Sequence, residues 1–317
     1  MEYVLLGKTG VRVSELCLGA MTFGNEADEQ ASAAIMNRAV EAGVNFLDTA
    51  NVYNGGLSEE IIGRWIGPHR EDIVLATKAH TPTGPGPNER GSSRRNVTLA
   101  VEKSLRRLQT DWIDILYLHL WDEDCALEES MAALNTLVEQ GKILYPAVSN
   151  YAAWQTVEAL RVCERRNFAP ITTIQPMYNL VKRQAEVEIL PMAQAQGLAV
   201  CPYSPMGAGL LSGKYLRGET GRIDVNEMYK KRYGDPDYPE ISKRFIAHAQ
   251  ERGDSPAALA VAWVMSHPAV TSPIIGARNV EQLEGGLAAA GIKLSAEERG
   301  AISALSPEPP LATDREK

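Results

Sequence analysis

Ile113-Asp114-Ile115-Leu116-Tyr117-Leu118-His119 is an almost continuous apolar run of strand length that stops on a histidine. A run with so little polar alternation fits a strand covered on both faces, as in a parallel sheet flanked by helices. The same design recurs upstream. Val44-Asn45-Phe46-Leu47 leads into Asp48, with Tyr53 five residues further on, and Ile73-Val74-Leu75-Ala76-Thr77 leads into Lys78. Extending the pattern along the chain predicts strands at residues 16–21, 44–49, 73–78, 113–119, 143–150, 171–175, 198–204 and 272–276. Between them, Val97, Val101, Leu105 and Leu108, then Leu127, Met131, Leu134 and Leu137, step by three and four residues and so line one face of a helix. Eight β-then-α units with no break into two halves predict an α/β chain closed into a (β/α)8 TIM barrel rather than an open doubly wound sheet.

The length of 317 residues suits one such barrel as a single domain spanning 1–317, with 306–317 as a frayed, Pro-rich tail. A charged fraction of 23% and a hydrophobic fraction of 44% describe an ordinary globular chain. The net charge of -8 and pI near 5.3 argue against nucleic acid or an anionic membrane as a partner. No basic-then-apolar leader opens the chain and no apolar run approaches a membrane span. Cys17, Cys125, Cys163 and Cys201 are widely spaced, which reads as reduced thiols rather than a disulfide framework and points to the cytoplasm.

Three segments exceed a bare barrel. Residues 3–14, two short runs around Gly7-Lys8-Thr9-Gly10, predict a hairpin capping the bottom. The stretch 206–253, after the seventh strand, is too long for an ordinary connection and is expected to cover a ligand. A second loop, 80–92, stands beside Lys78.

In a closed barrel the C-terminal strand ends share one face, so Asp48, Lys78 and His119 converge there with Tyr53. A phenol is a weak acid at neutral pH unless a nearby cation favours its phenolate. Lys78 supplies that cation, Asp48 holds the ammonium, and His119 is placed to hydrogen-bond the same acceptor, an arrangement suited to protonating a carbonyl oxygen. Each residue alone also has a structural reading: a buried ion pair, a capping histidine, a packed tyrosine. Four together at successive strand ends favour one site.

At these residues the chain resembles the aldo-keto reductase superfamily, in its bacterial and potassium-channel β-subunit-like branch. The resemblance rests on Leu47-Asp48-Thr49-Ala50 with Tyr53, on Lys78, on Tyr117-Leu118-His119-Leu120-Trp121-Asp122, and on Val148-Ser149-Asn150, Gln175-Pro176-Met177-Tyr178-Asn179-Leu180, Tyr203 to Tyr215 and Ile274-Ile275-Gly276-Ala277-Arg278. It implies catalysis by Asp48, Tyr53, Lys78 and His119. It further implies a nicotinamide coenzyme, NADPH before NADH, held by Gly19, Met21, Asp48, Ser149, Asn150, Gln175, Tyr203, Ser204, Pro205, Met206, Gly207, Leu210, Ser212, Lys214, Gly276, Ala277, Arg278, Gln282 and Gly286. Ser149, Asn150 and Gln175 would bind the carboxamide and Tyr203 would stack on its ring. Phe23, Tyr53, His119, Trp121 and Trp154 would face a small-molecule carbonyl or alcohol, apolar or aromatic by the character of these walls.

Other motifs carry less. Gly207-Ala208-Gly209-Leu210-Leu211-Ser212 lacks the third glycine of a dinucleotide fingerprint, and Gly213-Lys214 lacks the rest of a P-loop. The five histidines have no metal-ligand spacing, so no metal is expected. Where family members often carry Glu-Asn on the last barrel helix, this chain has Gly285-Gly286, which leaves NAD open as the coenzyme. Two alternatives therefore stand beside an NADPH-dependent carbonyl reductase: an NAD-dependent sugar or alcohol dehydrogenase on the same barrel, and a coenzyme-sensing regulatory subunit with slow turnover.

Overall fold

Period-two alternation along each strand sorts the apolar residues into two separate cores. Cys17, Phe46, Ala76, Ile115, Tyr117, Ala147, Ala199, Cys201 and Ile274 meet inside a barrel, while their neighbours Leu18, Leu47, Leu75, Leu116, Val148, Val200 and Ile275 join the larger core beneath the surrounding helices. This is the computed structural model of the chain, described for residues 1–313. Residues 314–317, the end of the expected tail, lie outside the described residues, and 307–313 carry no helix or strand.

The hairpin β1 (Tyr3–Leu5) and β2 (Arg12–Ser14) precedes eight parallel strands: β3 (Cys17–Gly19), β4 (Phe46–Asp48), β5 (Val74–Ala79), β6 (Ile113–Leu118), β7 (Ile143–Ser149), β8 (Thr173–Gln175), β9 (Ala199–Val200) and β10 (Ile274–Gly276). They pair in the order β10-β3-β4-β5-β6-β7-β8-β9. The remaining seam is closed by backbone hydrogen bonds from Thr271 and Ser272 to the Val200 carbonyl, at 2.8 and 3.3 Å, and from Ile274 to the Pro202 carbonyl at 2.9 Å. At the floor, Leu6 and Val13 of the hairpin enter the interior core, so the N-terminal segment plugs the bottom.

The helices α1 (Glu29–Glu41), α2 (Leu57–Ile66), α3 (Arg94–Leu108), α4 (Leu127–Glu139), α5 (Ala153–Arg166) and α6 (Ile189–Gln196) wrap the sheet between successive strands. The stripes read from the sequence are the buried ones: Val97, Val101, Leu105 and Leu108 on α3, and Met131, Leu134 and Leu137 on α4.

Two expectations need correction. The strand expected at 198–204 is regular only over Ala199–Val200, because Pro176 and Pro202 have no N–H to give; the pairing nevertheless continues through Cys201 to the Ile174 carbonyl at 2.9 Å and Tyr203 to the Pro176 carbonyl at 3.0 Å. The excursion expected over 206–253 is shorter. Turns lead into α7 (Arg222–Val225) and α8 (Glu227–Arg232), but Tyr238–Arg252 is an ordinary packed helix, α9, burying Ile241, Phe245 and Ala249 at four-residue steps. Then follow α10 (Pro256–Met265), α11 (Val280–Leu287) after β10, and α12 (Ala296–Ser303). No helix of the described residues is long and apolar enough to cross a membrane.

Candidate active site

The interior parity continues to the top of every strand, and there it changes chemistry. Two residues beyond Cys17, Phe46, Ala76, Tyr117, Ala147, Thr173, Cys201 and Ile274 stand Gly19, Asp48, Lys78, His119, Ser149, Gln175, Tyr203 and Gly276. The register sets Gly276 beside Gly19, Gly19 beside Asp48, and Ser149 beside Gln175. The mouth of the barrel is thus its uppermost interior layer, made polar.

At its centre Lys78, fully buried, donates from Nζ to Asp48 Oδ1 at 2.5 Å, to the Thr49 carbonyl at 2.7 Å and to the Tyr53 hydroxyl at 3.4 Å. Tyr53 heads a short turn before α2 in which Asn54, Gly55 and Gly56 all take positive φ. The Asn54 amide fastens that turn to the Met21 and Phe23 carbonyls at 3.1 and 2.6 Å. The rings of Tyr53 and His119 meet edge to face, with centroids 6.1 Å apart. Gln175 donates from Nε2 to the other oxygen of Asp48 at 2.9 Å, so Asp48 is held on both oxygens.

Burial sets the protonation of this group. It raises the Tyr53 phenol above its usual value, with the downward pull of Lys78 and the upward push of Asp48 following in that order. The expected lowering of the phenol by Lys78 is therefore present and outweighed. Burial also raises Asp48 against the pull of Lys78, while Lys78 is raised because Asp48 and Tyr53 overcome its desolvation. His119 is lowered to about 3 by burial, then by Lys78 and His80, so its imidazole is neutral at physiological pH.

Around the centre, Ser149 Oγ donates to the Gln175 carbonyl at 2.9 Å. Asn150, at φ 57°, donates to the His119 carbonyl at 2.9 Å and to Ser149 Oγ at 3.0 Å, and its Oδ1 accepts from the Tyr203 hydroxyl at 2.7 Å. Ser204, at φ 58°, turns the chain outward over the mouth and is braced by Asn179 Nδ2 to its carbonyl at 2.9 Å. Met206, Leu210 and Ser212 are half-buried along the following turns, whereas Pro205 and Gly207 are buried. Trp121 meets Tyr151 and Trp154 edge to face at 5.2 and 5.6 Å, with Trp154 64% exposed, which makes one aromatic wall.

Four of the residues assigned to ligand binding have close partners within the protein itself. Phe23 is fully buried in the outer core. Gly286 is buried where a Cβ would come 3.1 Å from Ile275 Cδ1, so it lets α11 lie close on β10. Gln282 turns its amide oxygen back to the Arg278 backbone N–H at 3.2 Å and guanidinium at 3.4 Å, while its own N–H is capped by Asn279. Ala277 is buried and its carbonyl accepts from Thr22 at 2.6 Å.

Beyond the mouth a basic cluster gathers that the sequence reading saw only in part. Arg278 Nε and Arg222 Nε approach the two oxygens of Glu26 at 3.7 and 3.1 Å, joining the segments after β3 and β10 to α7. Lys214 makes no ion pair among the described residues, and its amine is lowered by burial and by Arg278 and Arg222. Three cations beside two carboxylates, Glu26 and Asp224, leave a positive surplus that a phosphate would relieve. Ser149, Asn150 and Gln175 at one end, hydrogen-bonded here within the protein, and these cations at the other are the groups that could hold the two ends of a nicotinamide dinucleotide. Arg222 and Glu26 escaped the sequence reading because neither lies in a strand-end pattern.

A model described as "Aldo/keto reductase family" matches residues 15–307. The chain is similar, at 40% identity over 325 residues, to an uncharacterized oxidoreductase of Bacillus subtilis (strain 168), covering 98% of this chain and 97% of that one. It is 34% identical over 319 residues to norsolorinic acid reductase of Aspergillus flavus, covering 96% and 80%. It is 36% identical over 300 residues to a probable voltage-gated potassium channel subunit beta of Oryza sativa subsp. japonica, covering 89% of each.

Proposed function

We propose that this chain, which belongs to the aldo/keto reductase family and is an oxidoreductase using a nicotinamide coenzyme, reduces an aldehyde or ketone to the alcohol with NADPH. The observation that carries the reading is Tyr53, a half-buried, protonated phenol 3.4 Å from the Lys78 ammonium, beside a neutral His119.

A carbonyl oxygen seated between Tyr53 and His119 accepts a hydrogen bond from each, which polarises the C=O bond. When bound, the coenzyme supplies a hydride to the carbonyl carbon. As negative charge gathers on the oxygen, Tyr53 gives up its proton, and the phenolate left behind is stabilised by Lys78. The Asp48 carboxylate, gripped by Lys78 and Gln175, keeps that ammonium charged and in place. Without Lys78 a desolvated phenol would be too weak an acid.

The preference for NADPH is supported by Lys214, Arg222 and Arg278, since two of these cations share the Glu26 carboxylate and the third makes no ion pair among the described residues. The aromatic wall of Trp121, Tyr151 and Trp154 supports an apolar or aromatic carbonyl, a class in keeping with a relative named norsolorinic acid reductase. Four unpaired cysteines support the cytoplasm as its setting. A panel of aliphatic, aromatic and sugar carbonyls, assayed with NADPH and NADH, tests the reading. Reduction of aromatic aldehydes with NADPH in multiple turnovers is expected. Activity confined to alcohol oxidation with NAD would establish the dehydrogenase alternative, and a single turnover followed by retained coenzyme would establish the sensor.

A further inference from the structure

His119 needs one particular tautomer to serve a carbonyl oxygen, and the imidazole has a single side-chain partner to choose it. Thr81 Oγ1 lies 3.3 Å from His119 Nδ1. No protein hydrogen bond reaches Nε2 among the described residues, so that nitrogen is free for a ligand. Because the ring is neutral, only one nitrogen carries hydrogen. A bare Nε2 lone pair would repel a carbonyl oxygen; an Nε2–H would bind it.

The backbone just before Thr81 is strained. His80 takes φ 130°, far from where a residue with a Cβ rests, and such outliers persist only where neighbours hold them. Here they do: the Gly91 N–H donates to the His80 carbonyl at 2.7 Å, and His80 Nδ1 shares a hydrogen bond with Ser92 Oγ at 2.9 Å. Ser92 is itself fixed, its N–H to Asp122 Oδ2 at 2.6 Å and its carbonyl to Ser130 Oγ at 3.0 Å. The bracket runs from the end of β5 through the close of the 80–92 loop to α4, and what it presents to the site is the Thr81 hydroxyl.

We propose that Thr81 is a positioning residue for His119: its hydroxyl donates to Nδ1 and so fixes the tautomer with hydrogen on Nε2, directed at the substrate oxygen. The strained turn at His80 is the device that sets the hydroxyl there. The proposal rests on the reading of His119 as a partner of the carbonyl, and it deepens that reading.

The test is nitrogen-15 NMR of imidazole-labelled full-length protein, with the His119 signals assigned by their loss in His119→Gln. The wild type should show Nδ1 unprotonated and Nε2 protonated near neutral pH. Thr81→Val should lose that pattern, with kcat falling roughly 3- to 10-fold, as expected for one neutral hydrogen bond, and with coenzyme affinity by fluorescence unchanged. Thr81→Ser should restore both readouts. An Nδ1–H tautomer in the wild type, or an unaltered tautomer in Thr81→Val, overturns the proposal. The expected NMR pattern in a protein that reduces no carbonyl would support the positioning role and overturn the functional reading instead, so the two failures are distinguishable.

Discussion

Two charged clusters stand at the barrel mouth and are built in opposite ways. Asp48 and Lys78 are sealed in the interior, every polar contact supplied by protein, whereas Arg222, Glu26 and Arg278 meet at the surface with 29 to 43% of their side chains exposed. Burying an ion pair costs several kcal/mol per ion, repaid only by good geometry and further hydrogen bonds. Lys78 and Asp48 have both, through Thr49 and Gln175. The surface cluster pays little and gains little, since exposed pairs contribute about 0–1 kcal/mol. A fold that spends heavily on one and lightly on the other has fixed the chemistry at the first and left ligand exchange to the second. Changes at the sealed cluster should therefore act on turnover, and changes at the open one on coenzyme affinity.

The largest expected effect is at the sealed end. Tyr53→Phe removes the proton donor while leaving its packing, so kcat should fall by about 10²–10⁴-fold with coenzyme binding by fluorescence within about twofold. Near-wild-type turnover would break the comparison at its root.

Next comes a pH effect on stability. His119 is lowered from 6.5 to about 3 in the folded chain. A depressed folded value means that the unfolded chain takes up the proton first, so this contribution is whole above pH 6.5 and drains away as pH falls toward 3. One pKa unit corresponds to about 1.4 kcal/mol, which sets an upper bound of roughly 4–5 kcal/mol. Urea midpoints of the wild type and His119→Gln should converge, or cross, as pH drops from 7 to 4. A difference that stays constant with pH would show that the imidazole is not held neutral by its burial.

How far the sequence foretold these two clusters follows from how each is made. Asp48, Lys78 and His119 were legible because each is the ionisable residue that closes a mostly apolar run. The stronger signal lay unused: counting by twos from Cys17, Phe46, Ala76, Tyr117, Ala147, Thr173, Cys201 and Ile274 lands on the whole mouth, Gln175 and Tyr203 included. The bond from Gln175 to Asp48 was not legible, for it spans the barrel between β4 and β8 and depends on closure. The burial of Phe23 was not legible because, past the end of β3, nothing in the chain says whether an aromatic faces in or out. Arg222 and Glu26 come together only through loop geometry, where periodicity is silent. The excursion is shorter than its length in sequence because the Ile241, Phe245, Ala249 stripe within it forms the buried face of a helix.

At the open cluster, Arg278→Ala should weaken NADPH by roughly 10- to 150-fold, the range for one hydrogen bond to a charged group, and NADH by less than about twofold. Dissociation constants from fluorescence titration decide it. Equal losses for both coenzymes would mean that Arg278 holds the excursion rather than a phosphate. Tighter NADH than NADPH in the wild type would mean that the chain prefers NAD.

The smallest effect separates two ways in which Glu26 can act, and its sign carries the information. Its carboxylate engages Arg222 and Arg278, the guanidiniums that a 2′-phosphate would need. If it mainly competes, Glu26→Gln frees both and NADPH tightens; if it mainly holds the two side chains in place, NADPH weakens. Competition should win. The contacts are 3.1 and 3.7 Å at the surface, too loose to lend much order, and a phosphate brings more charge and more acceptors than the carboxylate it displaces. The gain is capped by the worth of an exposed pair, so NADPH should tighten by up to about fivefold. NADH, lacking the phosphate, should change little. Screening gives a second check: the gain should shrink as ionic strength rises and the Debye length falls from about 10 Å at 0.1 M to about 3 Å at 1 M. Weaker NADPH binding by Glu26→Gln at low salt would show that the open cluster is preorganised like the sealed one, and the contrast between them would fall.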